Sequence, residues 1–292
     1  MKFLLAVGSK EYSEPTLNIG SRIAKAFDAD LSVVYVGSKP KEMFAGRVNL
    51  ALDSMVKWEI YHPGIDVLRW AFDYLNSSGY LESEQVNGFN PENIVQENDR
   101  IRMVLQGSYG RKVDLILREG EIIDELRREA QKEDYTLTII GGSQKRSMAH
   151  DLIQYIPTSI FVVKSFDTRR DYRLLLLVDD SKATKRAVRF GATIAANQGM
   201  EVDTLTVSKS ENFGPGYSRA AKAAGRFLKS KGIPHKQHFL TGDPVDTFVE
   251  FANETHLMVM GASSKSPLRK FFLGSKPIKT LEKAAFPILI VK

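Results

Sequence analysis

Leu4–Val36, "LLAVGSKEYSEPTLNIGSRIAKAFDADLSVVYV", and Leu175–Val207, "LLLVDDSKATKRAVRFGATIAANQGMEVDTLTV", align without a gap at an offset of 171 residues. Val7 falls on Val178, Gly20 on Gly191, Ile23 on Ile194, Ala24 on Ala195 and Val36 on Val207. Identities are few, but each stretch reads as an apolar strand, a polar turn, a helix and a second apolar strand. In the second helix Val188, Gly191, Ala192 and Ala195 recur at i, i+3, i+4 and i+7, one helical face. Leu17, Gly20, Ser21 and Ala24 hold the same places in the first. Small residues on that face predict helices lying close to a sheet. Runs such as "RLLLLV" at 173–178 are apolar without alternation, the pattern of strands in a parallel sheet covered on both faces.

The copies agree again near their ends. "REGEIIDELRREAQKEDYTLTIIGGS" parallels "LTGDPVDTFVEFANETHLMVMGAS", with Gly120 facing Gly242 and Asp124 facing Asp246. Each copy closes in an apolar strand ending in lysine, "SIFVVK" at 159–164 and "PILIVK" at 287–292, and the polar stretch 165–172 reads as a linker. The prediction is two tandem α/β domains, 1–168 and 172–292. Each is expected to be Rossmann-like, with a mainly parallel five-stranded sheet flanked by helices.

Bulk properties are consistent with this. The 292 residues are 43% hydrophobic and 26% charged, ordinary for a globular chain long enough for two domains. No apolar run reaches the roughly 18–20 residues needed to cross a bilayer. "MKFLLAV" reads as a first buried strand because its apolar run is short and leads into a capped helix. The chain has no cysteine, which excludes disulfides and thiolate chemistry and fits a cytoplasmic location. Five scattered histidines (His62, His150, His235, His238 and His256) imply no metal site and are expected to face solvent.

Net charge is +6 but unevenly spread: residues 1–171 balance at −3 and residues 172–292 at +9. A basic half can meet nucleic acid, membrane or phosphate ligands. Here the cations are dispersed, with no arginine-rich arm and no aromatic stacking motif, so nucleic acid and membrane are not the expected partners.

Length differences between the copies carry further information. Gly79 to Gly120 spans 41 positions, whereas Gly232 to Gly242 spans 10. The first copy therefore holds an insertion at about 81–110, in which two apolar runs around Gly107–Gly110 predict a hairpin. It is either surface decoration or an oligomerisation or partner-binding element. Gly141 to Lys164 spans 23 positions, but Gly261 to Lys292 spans 31. The longer loop, "GASSKSPLRKFFLGSKPIKT" (261–280), follows a strand and so lies at the carboxyl edge of the sheet, where open α/β sheets bind ligands. Gly261 permits close backbone approach. Ser275 can cap a helix whose N-terminus would meet phosphate oxygens, with Lys276 adding charge. At the same edge Asp179 and Asp180 leave the first strand; Asp180 or Ser181 can serve as helix cap, and Asp179 can bond a ribose or base nitrogen.

These residues resemble the universal stress protein family in its tandem two-domain form. Its nucleotide-binding members are similar in V-D-x-S after the first strand, here Val178-Asp179-Asp180-Ser181, and in a G-D-P turn, here Gly242-Asp243-Pro244. Their phosphate loop is G-x-x-G, nine residues, then G-[S/T]; here it is Gly261-Ala262-Ser263-Ser264, residues 265–273 and Gly274-Ser275. The resemblance implies an adenine nucleotide alpha hydrolase-like fold. It also implies a stress-response role, with ATP, with or without Mg, or AMP bound in the C-terminal domain only. Asp179 following Val178 would contact the adenosine, backbone near Val207 the adenine, Gly261, Ser263 and Ser264 the ribose and phosphates, and Gly274 with Ser275 the phosphate tail. Ser264 stands where the family has its second glycine, and a serine tolerates positive φ poorly. The first domain has Gly8-Ser9 in place of Asp179-Asp180 and lacks the long loop, so no nucleotide is expected there.

No P-loop or other nucleotide-transfer motif is present, and no residue of the second domain reads as a positioned general base. Efficient catalysis is not expected; slow ATP hydrolysis stays open. The alternative reading is a stress protein without nucleotide that works as a protein–protein interaction module. The family often pairs domains through the last strand of each. The resemblance therefore implies an intrachain pseudo-dimer, with a homodimer and an unidentified protein partner as further associations.

Overall fold

The structure, a computed structural model, describes residues 1–37, 63–82, 94–97, 99–142, 156–262 and 286–292. The chain divides into two units, Met1–Gly141 and Gly142–Lys292. The first unit contains β1 (Lys2–Val7), α1 (Lys10–Ala26), β2 (Asp30–Gly37), α2 (Pro63–Ser77), β3 (Ile94–Glu97), β4 (Arg100–Gln106), β5 (Lys112–Glu119), α3 (Ile122–Lys132) and β6 (Leu137–Gly141). Its strands run in the order β6-β1-β2-β5-β4-β3. The first four are parallel, and β4 and β3 add antiparallel strands. The predicted hairpin is thus β4–β5, while β5 itself pairs with β2 as a strand of the main sheet.

The second unit contains β7 (Ser159–Val163), β8 (Arg173–Leu177), α4 (Lys182–Gln198), β9 (Val202–Ser208), α5 (Pro215–Ser230), β10 (His235–Thr241), α6 (Pro244–Phe251), β11 (His256–Gly261) and β12 (Ile288–Val291). Its order is β10-β9-β8-β11-β12-β7. Strands β8 to β12 are the five parallel strands expected, and β7 joins them antiparallel, with Phe161 opposite Leu289. The stretch 165–172 is held in place: Phe166 stacks on Tyr172 at 4.6 Å, and the Tyr172 hydroxyl accepts from the Asp167 N–H at 2.9 Å.

The two units repeat one another in detail. A Cβ on Gly20 would lie 2.4 Å from Leu5 Cδ1, and one on Gly191 would lie 2.6 Å from Leu176 Cδ2, the same pair of positions at the 171-residue offset. The Gly120 N–H donates to Gly37 O at 2.8 Å and the Gly242 N–H to Ser208 O at 2.9 Å, with φ of 154° and 156°. After α2 the N–H of Tyr80 donates to Leu75 O at 2.8 Å, and after α5 that of Ile233 donates to Leu228 O at 3.0 Å. Gly79 and Gly232 supply φ of 66° and 67° at those helix ends, which side chains other than glycine adopt with strain.

What distinguishes the first unit is a buried ionic network beneath its added strands. Arg118 of β5, 1% exposed, donates through Nε to Glu129 Oε2 at 2.9 Å and through Nη1 to Glu125 Oε2 at 3.2 Å. It also reaches Asp99 Oδ2 at 3.1 Å. Glu129, 0% exposed, is shared by Arg100 of β4 and by the Tyr135 hydroxyl at 3.1 Å. Arg100 continues to Glu133 at 2.8 Å. The network ties β4 to α3, and removing one member leaves the others charged, buried and unpaired. Arg118→Ala is expected to lower stability by about 3–5 kcal/mol, read as a lower urea midpoint with an unchanged slope.

Candidate functional site

Strand order in the second unit reverses at β8: β9 lies on one side of it and β11 on the other. In open α/β sheets the crevice outside the carboxyl ends of strands at such a switch point is the ligand site. Strand β8 delivers Asp179 to that edge. The Val178 N–H donates to Leu205 O at 2.9 Å, keeping the backbone extended to the last position before it. Ser181 then caps α4, its hydroxyl accepting from the Thr184 N–H at 3.4 Å. The cap therefore falls to Ser181 and leaves Asp179 for another role.

The side chain of Asp179 is held from two sides. Its Oδ1 accepts from the Ser181 N–H at 3.0 Å and from the Thr184 hydroxyl. Thr184 Oγ1 accepts in turn from the Asp179 N–H at 3.3 Å. Its Oδ2 has no partner among the described residues, and the carboxylate is half-buried. One oxygen is thus anchored and the other is a fixed acceptor. The end of β11 meets the same helix turn: a Cβ on Gly261 would lie 2.5 Å from the Ala183 carbonyl carbon and 2.7 Å from its oxygen. Asp179 through Thr184 and Gly261 through Ala183 are therefore seated on the first turn of α4, side by side at the switch point.

Val178 and Val207 are both buried, at 3% and 5% exposure, and Val207 packs with Leu205, Phe248 and Met260. Only the backbone of either could face a ligand. Ser263, Ser264, Gly274, Ser275 and Lys276 lie outside the described residues. Asp243 caps α6, accepting from the Val245 N–H at 3.0 Å, which accounts for the Gly242-Asp243-Pro244 turn as local structure.

Sequence reasoning does not single out Thr184, Ala183 or Tyr217. Burial, then the Asp180 and Asp179 carboxylates, push the Tyr217 hydroxyl above its ordinary value. A signal for Thr184 is present, because the 171-residue offset places it on Ser13, another hydroxyl. In the first unit Ser13 Oγ accepts from the Gly8 N–H at 2.9 Å, the same bond without the carboxylate. Gly141 ends β6 there, with its absent Cβ 3.1 Å from Thr16 Oγ1.

A second polar cluster occupies the opposite, amino end of the strands. Asp203 Oδ2 accepts from Arg173 Nε at 2.7 Å, Asp203 Oδ1 meets His238 Nε2 at 2.9 Å, and His256 Nε2 lies 3.6 Å from Asp203 Oδ2. The expectation of solvent-facing histidines fails here: His256 is 5% exposed because β11 begins inside the sheet, and His238 is drawn to Asp203. Burial pushes the Asp203 carboxyl up, but the hydrogen bonds from Arg173 and His238 outweigh it and hold the group at about 2. Burial pushes His256 below its ordinary value, against the pull of Asp203. Among the described residues no cluster of three or more His, Cys, Asp or Glu could hold a metal ion, and no helix is long and apolar enough to cross a membrane.

Residues 172–292 match the model of the Universal stress protein family. This stretch is a universal stress protein domain. No curated protein matches the chain. Among solved structures, a universal stress protein from Archaeoglobus fulgidus DSM 4304 is similar with a TM-score of 0.57 at 15% identity, over 100% of this chain and 96% of that one. A protein of unknown function from Pseudomonas aeruginosa PAO1 gives 0.58 at 12% identity, over 100% and 92%. At such identities the likeness speaks for the fold. A universal stress protein from Archaeoglobus fulgidus in complex with dAMP covers 41% of this chain and 98% of its own at 22% identity, with a TM-score of 0.33. Its dAMP is a fact about that protein.

Two outcomes follow for the universal stress protein domain. Gly261→Ala forces the α4 turn off β11 and should lower stability by about 1–3 kcal/mol, measured by urea unfolding. Both Asp203 and His256 titrate below their unfolded values, so their contributions hold at neutral pH and fade as pH falls. Loss should begin below about pH 6.5 for His256 and below about pH 4 for Asp203. In His256→Asn the slope of stability against pH between about 6.5 and 5 should flatten, while the steeper fall below about pH 4 remains.

Proposed function

We propose that the protein is a stress-response regulator whose C-terminal domain binds an adenine nucleotide, ATP or AMP, at the carboxyl edge of β8 and β11. The observation carrying this reading is the unpaired Oδ2 of Asp179, fixed at the switch point beside Gly261. A half-buried carboxylate with one free oxygen suits a ribose hydroxyl or an adenine amino group, both hydrogen-bond donors. The spacing from Gly261 to Gly274-Ser275 supports placing the phosphates along that loop, where backbone N–H groups and Lys276 can meet negative charge. The shared hydrogen bonds of the two units support reading the chain as a tandem duplication. In the first unit Gly8 replaces the carboxylate, so that unit is assigned no nucleotide. The role proposed is binding rather than turnover.

Ser264, in place of a second loop glycine, is the feature favouring the competing reading of an interaction module without nucleotide. Titration calorimetry of Mg-ATP and AMP into the full chain separates them. Micromolar binding is expected, weakened tenfold or more, about 1.4 kcal/mol, by Asp179→Ala and abolished by Gly274→Asp. Nucleotide at about 100 times Kd should then stabilise the fold by about 2.7 kcal/mol. Absence of heat and of any thermal shift at millimolar ATP would overturn the reading.

A further inference from the structure

Helices α4 and α5 of the second unit leave a cleft of about 610 Å³ between them, closed at one end by Asp179 and Asp180, where it borders the candidate nucleotide site. Gly216, at the start of α5, packs against Asp180 there; a Cβ on it would lie 3.0 Å from Asp180 Cβ. From α4 the walls are Ser181, Thr184, Lys185, Val188 and Arg189, and from α5 they follow Gly216, Arg219, Ala220, Ala223 and Phe227. Both sets recur at helical spacing, so the cleft is a groove about three turns, roughly 16 Å, long. Its floor is apolar: Val188, Ala220, Ala223, Ala224 and Phe227. Its rims carry Lys185, Arg189, Arg219, Lys222 and Arg226, all exposed, and none pairs with an acid among the described residues.

The first unit shows that the fold does not impose this groove. The 171-residue offset places Glu14 on Lys185 and Asn18 on Arg189. The matched helix ends at Gly79 and Gly232 place Asp66 on Arg219, Trp70 on Ala223, Asp73 on Arg226 and Tyr74 on Phe227. There the two helices are bridged by Asn18 Nδ2 donating to the Tyr74 hydroxyl at 2.7 Å. In the second unit Arg189 and Phe227 replace the bridging pair, an alanine replaces the tryptophan, and cations replace Glu14, Asp66 and Asp73. The same helix pair is bridged and acidic in one unit, and open, small-floored and basic in the other.

We infer that the α4–α5 groove is a docking site for an acidic amphipathic helix of a partner protein. An apolar floor flanked by cations recognises apolar side chains at i, i+3 or i+4 and i+7, with carboxylates on both sides. A partner helix of three to four turns matches the groove in length. A nucleic acid backbone would meet the rim charges but leave the floor of alanines and Phe227 without a counterpart.

The test is selection of a phage-displayed library of random 16-residue peptides on the immobilised full chain at physiological salt. Enriched sequences should be rich in Asp and Glu with apolar residues at helical spacing. Synthetic versions should bind in the low micromolar range by fluorescence anisotropy. Ala223→Trp, which places in this groove the residue its counterpart carries, should weaken them tenfold or more. The Arg219→Glu/Arg226→Glu double variant should do the same and, being on the surface, keeps the test open if the tryptophan disturbs folding. The inference is overturned if nothing is enriched, if enriched peptides lack the acidic amphipathic pattern, or if their binding survives the charge reversals. It is equally overturned if a 20-nucleotide single strand binds the groove in preference to every selected peptide.

Discussion

The close seating of a helix on the strands beside it is the constraint on which the second unit depends. Gly191 lets the middle of α4 approach Leu174 and Leu176 of β8, and Gly261 lets the end of β11 meet the carbonyl of Ala183 in the first turn of that helix. With α4 fixed at both points, the β8–α4 turn has little freedom. Thr184 and Ser181 then hold one oxygen of Asp179 and leave the other without a protein partner among the described residues. A side chain at either glycine would lift the helix, and the geometry at the switch point would go with it. The first unit keeps the same seat, Gly20 on Leu5, and the same hydroxyl bond at Ser13, yet presents no carboxylate. The scaffold recurs in both units, and the carboxylate at this turn is present in one, Asp179 standing where the other has Gly8.

The two units also place charge differently. In the first, arginines and acids are turned inward, where Arg118, Arg100, Glu125 and Glu129 join the added strands to α3. In the second, cations stand outward along α4 and α5, and the main buried charge is Asp203 with its arginine and histidines. Among the described residues the cations of α4 and α5 thus form a surface available to anionic groups. A nucleotide at the sheet edge and an acidic helix between α4 and α5 would both draw on these cations, and Asp179, Ser181 and Thr184 border both sites.

Much of the fold is legible in the sequence. The gapless alignment of Leu4–Val36 with Leu175–Val207 predicts parallel strands and close-packed helices, because glycine at i+3 on an apolar helical face lets that helix approach its neighbour. The hairpin around Gly107–Gly110 is visible as two apolar runs about a turn. Asp179 and Gly261 are visible as residues off strand ends, but the division of labour between Asp179 and Ser181 needs the hydrogen bonds. The burial of Arg118 is not visible: nothing in "LILRE" marks its arginine as buried, and only the tertiary placement of β4 and α3 covers it. His256 escapes for the same reason, since its burial comes from neighbouring strands. The groove is hidden because Ala220, Ala223 and Ala224 look like ordinary helix formers, and their meaning emerges only beside Trp70 and Tyr74.

The central claim is that a repeated scaffold carries ligand chemistry in one unit alone. Amide hydrogen exchange of the full chain with and without saturating Mg-ATP tests it most directly, because it reports both units in one experiment. Protection is predicted at 178–184 and from 261 through 276, with the matching segments 7–13 and 141–150 unchanged. Equal protection of the first unit's segments, or protection in neither unit, would contradict the account.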